Sequence, residues 1–298
     1  MMSKAGIQPL QHGHYARLTL FKWFGGKRTL AKNILPFVPE GGHPYCEPYC
    51  GAASLFFLRQ PAITEVLNDR DGNIINLFRC LQDRTKFEEL KHRLTYTPYA
   101  RDELERAINV LDDESSDDIS RAWAFFVKMN QIMSGVPTKA NKSNWSITFR
   151  SAQNAAKTFS NRVKLLDFFA DRLLNVYIEN GDAIDVIKRF DNEHAVFYID
   201  PPYVLSTRKN RNVYSHEVDI EHHKSLVDML LNCSGAVTLS CYFHDVYQPL
   251  VDAGWYRKDF DTICYAAGRI RNSKLVGEGS STKHVPRVET LLINPKAL

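Results

Sequence analysis

Val196-Phe197-Tyr198-Ile199-Asp200-Pro201-Pro202-Tyr203 decides the fold. A β-branched and aromatic run that does not alternate with polar residues reads as a strand of a parallel sheet, buried on both faces. Proline cannot donate to a ladder, so the strand ends at Asp200. In open α/β sheets ligands sit just beyond the carboxyl ends of the strands, and Asp200 stands on that rim. Pro201 and Pro202 each fix φ and lack an N–H. The corner therefore offers carbonyl oxygens and one carboxylate, all acceptors. That suits a group carrying two donors, such as an exocyclic amine on a planar ring. Tyr203 follows with a flat face on which a ring can stack. A capped proline turn of no chemical consequence is the plainer reading of Asp-Pro-Pro, and the aromatic after it favours a site.

The rest of the chain supplies the same kind of pattern. His43 to Cys50 leads as a strand into the small-residue turn Gly51-Ala52-Ala53-Ser54, and Leu55 to Leu58 opens an apolar helix. A strand, such a turn and a helix N-terminus make a site for a polar ligand. The turn has one glycine, so a dinucleotide fingerprint is absent. Glu65 to Asp69 is the next strand, ending in an acid about 20 residues on, where a ribose hydroxyl is commonly bound. Gly72 to Leu81 is a helix with Ile74, Ile75, Leu77, Phe78 and Leu81 on its apolar side. Upstream, Phe21-Lys22-Trp23-Phe24-Gly25-Gly26-Lys27 sets an indole and two lysines around glycines that allow close backbone approach. Thr29 to Pro36 follows as a short helix.

Between residues 84 and 160 the alternation of strand and helix gives way to helices at Phe87–Leu94, Arg101–Leu111 and Ile119–Met133. A polar stretch with Lys139, Lys142 and Arg150 around Trp145 suits phosphate and base contact. The alternation resumes with helix Asn161–Leu173, strand Val176–Glu179, the capping Asp182, helix Ala183–Arg189 and the strand ending at Asp200. A basic loop with Arg208, Lys209 and Arg211 comes next. Helix Asp219–Asn232, strand Ala236–Cys241, helix His244–Ala253 and two closing strands, Tyr256–Cys264 and Val285–Ile293, complete an α/β chain. The organisation expected is a doubly wound, mostly parallel sheet from residues 20–83 and 161–298, with 84–160 as a helical recognition insertion.

Composition narrows the class. The chain has 298 residues and a net charge of +4, so any attraction to nucleic acid must be local rather than global. Cys46, Cys50, Cys80, Cys233, Cys241 and Cys264 are scattered without a Cys-x-x-Cys pair. They read as reduced core residues of a cytoplasmic protein, with no metal site. Residues 1–20 read as a loose leader without a signal peptide's apolar stretch, and no run is long enough for a membrane span.

In this order, Lys22-Trp23-Phe24-Gly25-Gly26-Lys27, Glu47-Pro48-Tyr49-Cys50-Gly51, Asn68-Asp69 and Asp200-Pro201-Pro202-Tyr203 resemble the motifs of the Dam-like DNA adenine-N6 methyltransferases. Ser240-Cys241-Tyr242 and Glu289 to Asn294 are similar to that family's later segments. The resemblance implies a methyltransferase sheet, S-adenosylmethionine as cofactor and double-stranded DNA as substrate. It implies cofactor contacts at Trp23, Lys27, Glu47, Gly51, Asp69, Asp182 and Asp200. Catalysis falls to Asp200, Pro201, Pro202 and Tyr203 acting on a flipped adenine. Lys139, Lys142, Trp145, Arg150, Arg208, Lys209 and Arg211 are the expected DNA contacts. N4-cytosine methylation is the nearest alternative, though that branch usually carries Ser in place of Asp200. A catalytically inactive DNA-binding relative is another. The target sequence, the oligomeric state, with a monomer plausible, and any partner restriction endonuclease stay open.

Overall fold

The computed structural model describes residues 19–133, 135, 144–147, 154–207, 217–263 and 286–298. Its seven strands are β1 (Tyr45–Glu47), β2 (Glu65–Asn68), β3 (Val176–Glu179), β4 (Val196–Ile199), β5 (Ala236–Cys241), β6 (Tyr256–Ile263) and β7 (Pro286–Ile293). They form one sheet in the order β3-β2-β1-β4-β5-β7-β6. The first five are parallel, while β7 runs antiparallel to both β5 and β6. The chain lays strands outward from β1 to β3, then returns to place β4 on the other side of β1. The order therefore reverses between β1 and β4, which is where an open α/β sheet forms its crevice.

β4 is buried along its whole length, as its unbroken apolar run requires. Phe197 and Ile199 point into one core with Val237 and Leu239. Val196 and Tyr198 point into the other. Helices cover both faces. On the first core lie α8 (Ala183–Phe190), α9 (Ile220–Leu231) and α10 (Gln248–Asp252); on the second lie α2 (Gly72–Gln82) and α7 (Leu166–Leu173), with α1 (Ala31–Ile34) nearby. Side-chain oxygens of Asp71, Asp182 and Asp219 cap α2, α8 and α9, each satisfying an N–H that the first turn leaves free.

The helices between residues 84 and 131 are α3 (Arg84–Thr95), α4 (Arg101–Asp112) and α5 (Asp118–Gln131). α5 buries Trp123, Phe125, Phe126 and Val127 and packs against α2, α3 and α4. Its apolar side chains thus run on from the core of the sheet. Among the described residues no helix is long and apolar enough to cross a membrane. Cys46, Cys50, Cys80, Cys233 and Cys241 are free and buried; Cys264 lies outside the described residues.

Several helix expectations need correction. Leu55 to Leu58 forms successive turns, not a helix. All four side chains are buried, and the backbone bonds alternate in reach: Phe57 N to Ala53 O and Arg59 N to Leu55 O span four residues, while Leu58 N to Leu55 O spans three, so no regular ladder builds up. The expected helix Asn161–Leu173 is two helices, α6 (Ala155–Val163) and α7. The chain tightens between them, where Leu165 N bonds to Arg162 O. Thr29–Pro36 and His244–Ala253 each break into short turns around a four- or five-residue helix. One buried ion pair was not foreseen. Arg172 meets Glu65 through Nη1–Oε2 at 2.5 Å and Nη2–Oε1 at 2.7 Å, a two-pronged geometry that compensates a carboxylate at the start of β2.

Candidate active site

Glu47, Asp69 and Asp200 lie at or just beyond the carboxyl ends of β1, β2 and β4, and Asp182 caps the helix that follows β3. Together they border a cleft of about 910 Å³, open mouth included. Trp23, Gly25, Gly26, Lys27, Pro48, Tyr49, Gly51, Leu55, Asn68, Gly181, Pro202 and His222 also line it. The fold thus brings together every residue expected at the cofactor, although they come from five separate parts of the chain.

Lys27 reaches the centre of the site. The turn before it is tight, with Gly25 at φ +77° and Gly26 N bonded to Trp23 O at 3.2 Å. Lys27 Nζ donates to both Asp200 oxygens at 2.7 Å and to Gly25 O at 2.9 Å. Lys22 takes the other direction, donating to Ile132 O at 2.9 Å. The Asp200 side chain is 19% exposed. Burial pushes its carboxyl up to about 6, an effect that the Lys27 charge opposes and that Glu289 reinforces. Pro202 lines the cleft and Pro201 is buried. Tyr203 stands beside the cleft. Its hydroxyl donates to Glu289, its ring centroid is 4.4 Å from that of Tyr242, and the Lys27 ammonium lies 4.8 Å from the ring centre.

On the other side of the switch point, Gly51 has φ +51°. A Cβ there would come within 2.6 Å of the Trp23 indole nitrogen, so glycine is what lets the indole close on the turn. Asp69 accepts from Gly51 N at 2.8 Å and Asp71 N at 2.9 Å, one bond to each oxygen. Burial raises its carboxyl to about 6, offset by those backbone bonds. Each oxygen keeps acceptor capacity for a ligand hydroxyl. Glu47 is deeper, accepting from Tyr45 Oη at 2.7 Å. Burial raises it to about 7 against the hydrogen bonds that favour its charge. Asp182 accepts from Ile184 N at 2.9 Å as a helix cap.

Three further residues contribute, of which Asn68 and Glu289 stood in family-like segments without a role and His222 was not singled out. Asn68 is buried and joins two loops, donating to Pro48 O at 2.8 Å and Gly181 O at 3.2 Å while accepting from Gly181 N at 2.9 Å. His222 meets Tyr49 Oη through Nε2 at 2.7 Å at the cleft wall. Glu289 sits under Tyr203. The available signals were polar residues in otherwise buried strands, Asn68 closing β2 and Glu289 within β7. Of the expected DNA contacts, Trp145 donates to Gln131 Oε1 at 3.0 Å, and its ring lies 5.4 Å from Tyr99 and 5.1 Å from the Arg101 guanidinium. Its indole is therefore tied to the end of α5. Lys139, Lys142, Arg150, Arg208, Lys209 and Arg211 lie outside the described residues.

The donor set tells what the cleft accepts. Five carboxylates line it, from Glu47, Asp69, Asp71, Asp182 and Asp200, against the cations Lys27 and Arg70. Such a balance disfavours polyphosphate and favours a ligand with hydroxyls, amines or positive charge. A doubly wound sheet with acids around a switch-point cleft is an α/β fold with a ligand site at the carboxyl ends of its strands. The family model of D12 class N6 adenine-specific DNA methyltransferases matches residues 23–258, and the chain belongs to that family. It is 26% identical over 242 residues to the DNA N-6-adenine-methyltransferase of Escherichia phage P1, a match covering 76% of this chain and 31% of that protein. It is 27% identical over 208 residues to the type II methyltransferase M1.LlaDCHI of Lactococcus lactis subsp. cremoris, covering 66% of this chain and 69% of the relative. A DNA adenine methylase of Vibrio cholerae is 26% identical over 196 residues, covering 65% and 68%.

Proposed function

We propose that this chain binds S-adenosylmethionine in the switch-point cleft and methylates N6 of adenine in double-stranded DNA. The observation that carries the reading is Asp200, an acceptor at the proline corner of β4, facing the cleft and held by Lys27. The residues fit the cofactor by charge. S-adenosylmethionine has no phosphate, carries a sulfonium and an ammonium, and matches a cleft rich in carboxylates. When bound, it supplies an electrophilic methyl group.

The chain's own residues do the rest. Asp69 holds the ribose hydroxyls and Asp182 stands at the adenine end. Trp23 covers the apolar part, and Gly51 keeps the turn close. Adenine reaches the site only after leaving the base stack, and Tyr203 offers it a ring. Asp200 and the Pro201 carbonyl accept hydrogen bonds from N6, drawing its lone pair out of conjugation. Asp200 takes the proton that N6 sheds, a role suited by a carboxyl raised to about 6, close to the working pH. Lys27 orients Asp200, with its donors shared between that carboxylate and Gly25 O. Positioning and fixed charge supply most of the acceleration. The segment 84–160 would read the target, with Lys139, Lys142, Trp145 and Arg150 from it and Arg208, Lys209 and Arg211 beyond Tyr203 meeting DNA. Cytoplasmic DNA is the expected setting, and a cognate restriction endonuclease is a proposal resting on the type II class of the Lactococcus relative.

Asp69→Asn tests the cofactor assignment. It keeps the side-chain shape and removes the charge behind the ribose contacts. Such hydrogen bonds are worth about 1.5–3 kcal/mol, so titration calorimetry should show S-adenosylmethionine binding roughly tenfold or more weaker, with DNA affinity little changed. Unaltered cofactor affinity in a folded Asp69→Asn protein would move the ribose site elsewhere.

A further inference from the structure

Glu289 lies outside residues 23–258, the part matched by the family model, and does not line the cleft. In the antiparallel pairing of β5 with β7, Ser240 faces Leu291 and Cys241 faces Thr290. Glu289 is thus carried to the carboxyl end of β5, beside the site. The period of two puts it on the face of Leu291 and Ile293, both core residues, where an aliphatic side chain would be ordinary. It is 4% exposed. Burying a carboxylate is costly unless it is paired and hydrogen-bonded, and of its partners here Tyr203 and Lys27 belong to the site while Ser240 lies on β5. Oε1 accepts from the Tyr203 hydroxyl, and from Ser240 Oγ at 2.5 Å. The same atom is 3.6 Å from Lys27 Nζ, whose ammonium holds both oxygens of Asp200.

We propose that Glu289 is a positioning residue for methyl transfer. Its carboxylate fixes the Tyr203 ring through the phenolic hydroxyl and keeps Lys27 against Asp200, so that stacking ring and acceptor corner hold one spacing before the base arrives. The proposal rests on the function given above. It differs from a brace of the β5–β7 pair in acting on kcat through Tyr203. A brace would change stability without coupling to the Tyr203 hydroxyl.

The experiment is steady-state methylation of duplex DNA by the wild type, Glu289→Leu, Glu289→Gln, Tyr203→Phe and the Glu289→Leu/Tyr203→Phe double variant, with circular dichroism as fold control. Misplacing a reacting group by about 1 Å costs on the order of a hundredfold, and Glu289→Leu should lose about that in kcat. KM for DNA and cofactor should stay within about threefold, as expected when ground-state binding is untouched. Glu289→Gln keeps an acceptor for Tyr203 and Ser240 and should lose only about tenfold, so it serves if the leucine variant does not fold. In the Tyr203→Phe background, Glu289→Leu should cost about tenfold rather than a hundredfold, the part exerted through Lys27, and Glu289→Gln, if that double variant does not fold, less than about threefold, because coupled residues are not additive. A folded variant with wild-type kcat, or effects that multiply independently of Tyr203→Phe, would overturn the role of Glu289. A wild type that transfers no methyl group would overturn the function itself, and the positioning role with it.

Discussion

Asp200→Asn should lower the rate of methyl transfer by at least about a hundredfold, the loss typical of removing one preorganised electrostatic group from an active site. Asparagine keeps the shape of the side chain but can neither offer a charged acceptor to N6 nor take its proton. The fold should survive, and the titration of Asp200 says why. Its carboxyl sits at about 6 in the folded chain against an ordinary 3.8, chiefly through burial. A carboxyl raised on folding favours the native state fully below the unfolded value, and that contribution is lost as pH rises through about 6. At neutral pH the ionised group is therefore a cost to stability, which the neutral amide removes. Lys27 keeps Gly25 O and the nearby Glu289 in the variant. Tritium transfer from labelled cofactor into DNA, with circular dichroism alongside, checks both halves. A folded Asp200→Asn protein working at the wild-type rate would remove Asp200 from the mechanism.

Lys27→Met should be damaging in a different way. The ammonium lies between Asp200, at 2.7 Å, and Glu289, at 3.6 Å. Removing it leaves two largely buried carboxylates facing one another, and breaking a buried pair in this manner typically costs about 3–5 kcal/mol. The lost cation is also what opposes the upward shift of Asp200. Without it the Asp200 carboxyl rises further, because a neighbouring positive charge favours the ionised form. The acid limb of kcat/KM, expected near pH 6 in the wild type, should move to higher pH, so that the variant loses more activity at pH 7 than at pH 9. Denaturant unfolding and pH–rate profiles measure the two effects. An acid limb that stays in place would show that Lys27 does not govern Asp200.

The difference between these two residues marks what sequence can convey. β5 was legible to the residue and β4 to within one, ending at Ile199 instead of Asp200, since an apolar run closed by prolines reports burial and termination directly. The cap at Asp182 was legible for the same local reason. The last two runs were legible as strands, while their antiparallel pairing shows only in the registers of β7 with β5 and β6. The Lys27–Asp200 pair spans 173 positions, and no periodicity records which side chain crosses a sheet to meet another. Glu289 was legible only as the start of a family-like segment; the register of β7 against β5 is what places it under Tyr203. Leu55 to Leu58 misled because four apolar residues after a turn fit a buried helix and a buried series of turns equally well.

The most direct test of the whole account is to incubate the chain with duplex DNA and S-adenosylmethionine, hydrolyse the DNA to nucleosides and identify the methylated base by mass spectrometry. N6-methyladenine should form in a cofactor-dependent manner and be absent with Asp200→Asn. N4-methylcytosine as the product, or unmodified DNA after exposure to a folded protein that binds the cofactor, would contradict it.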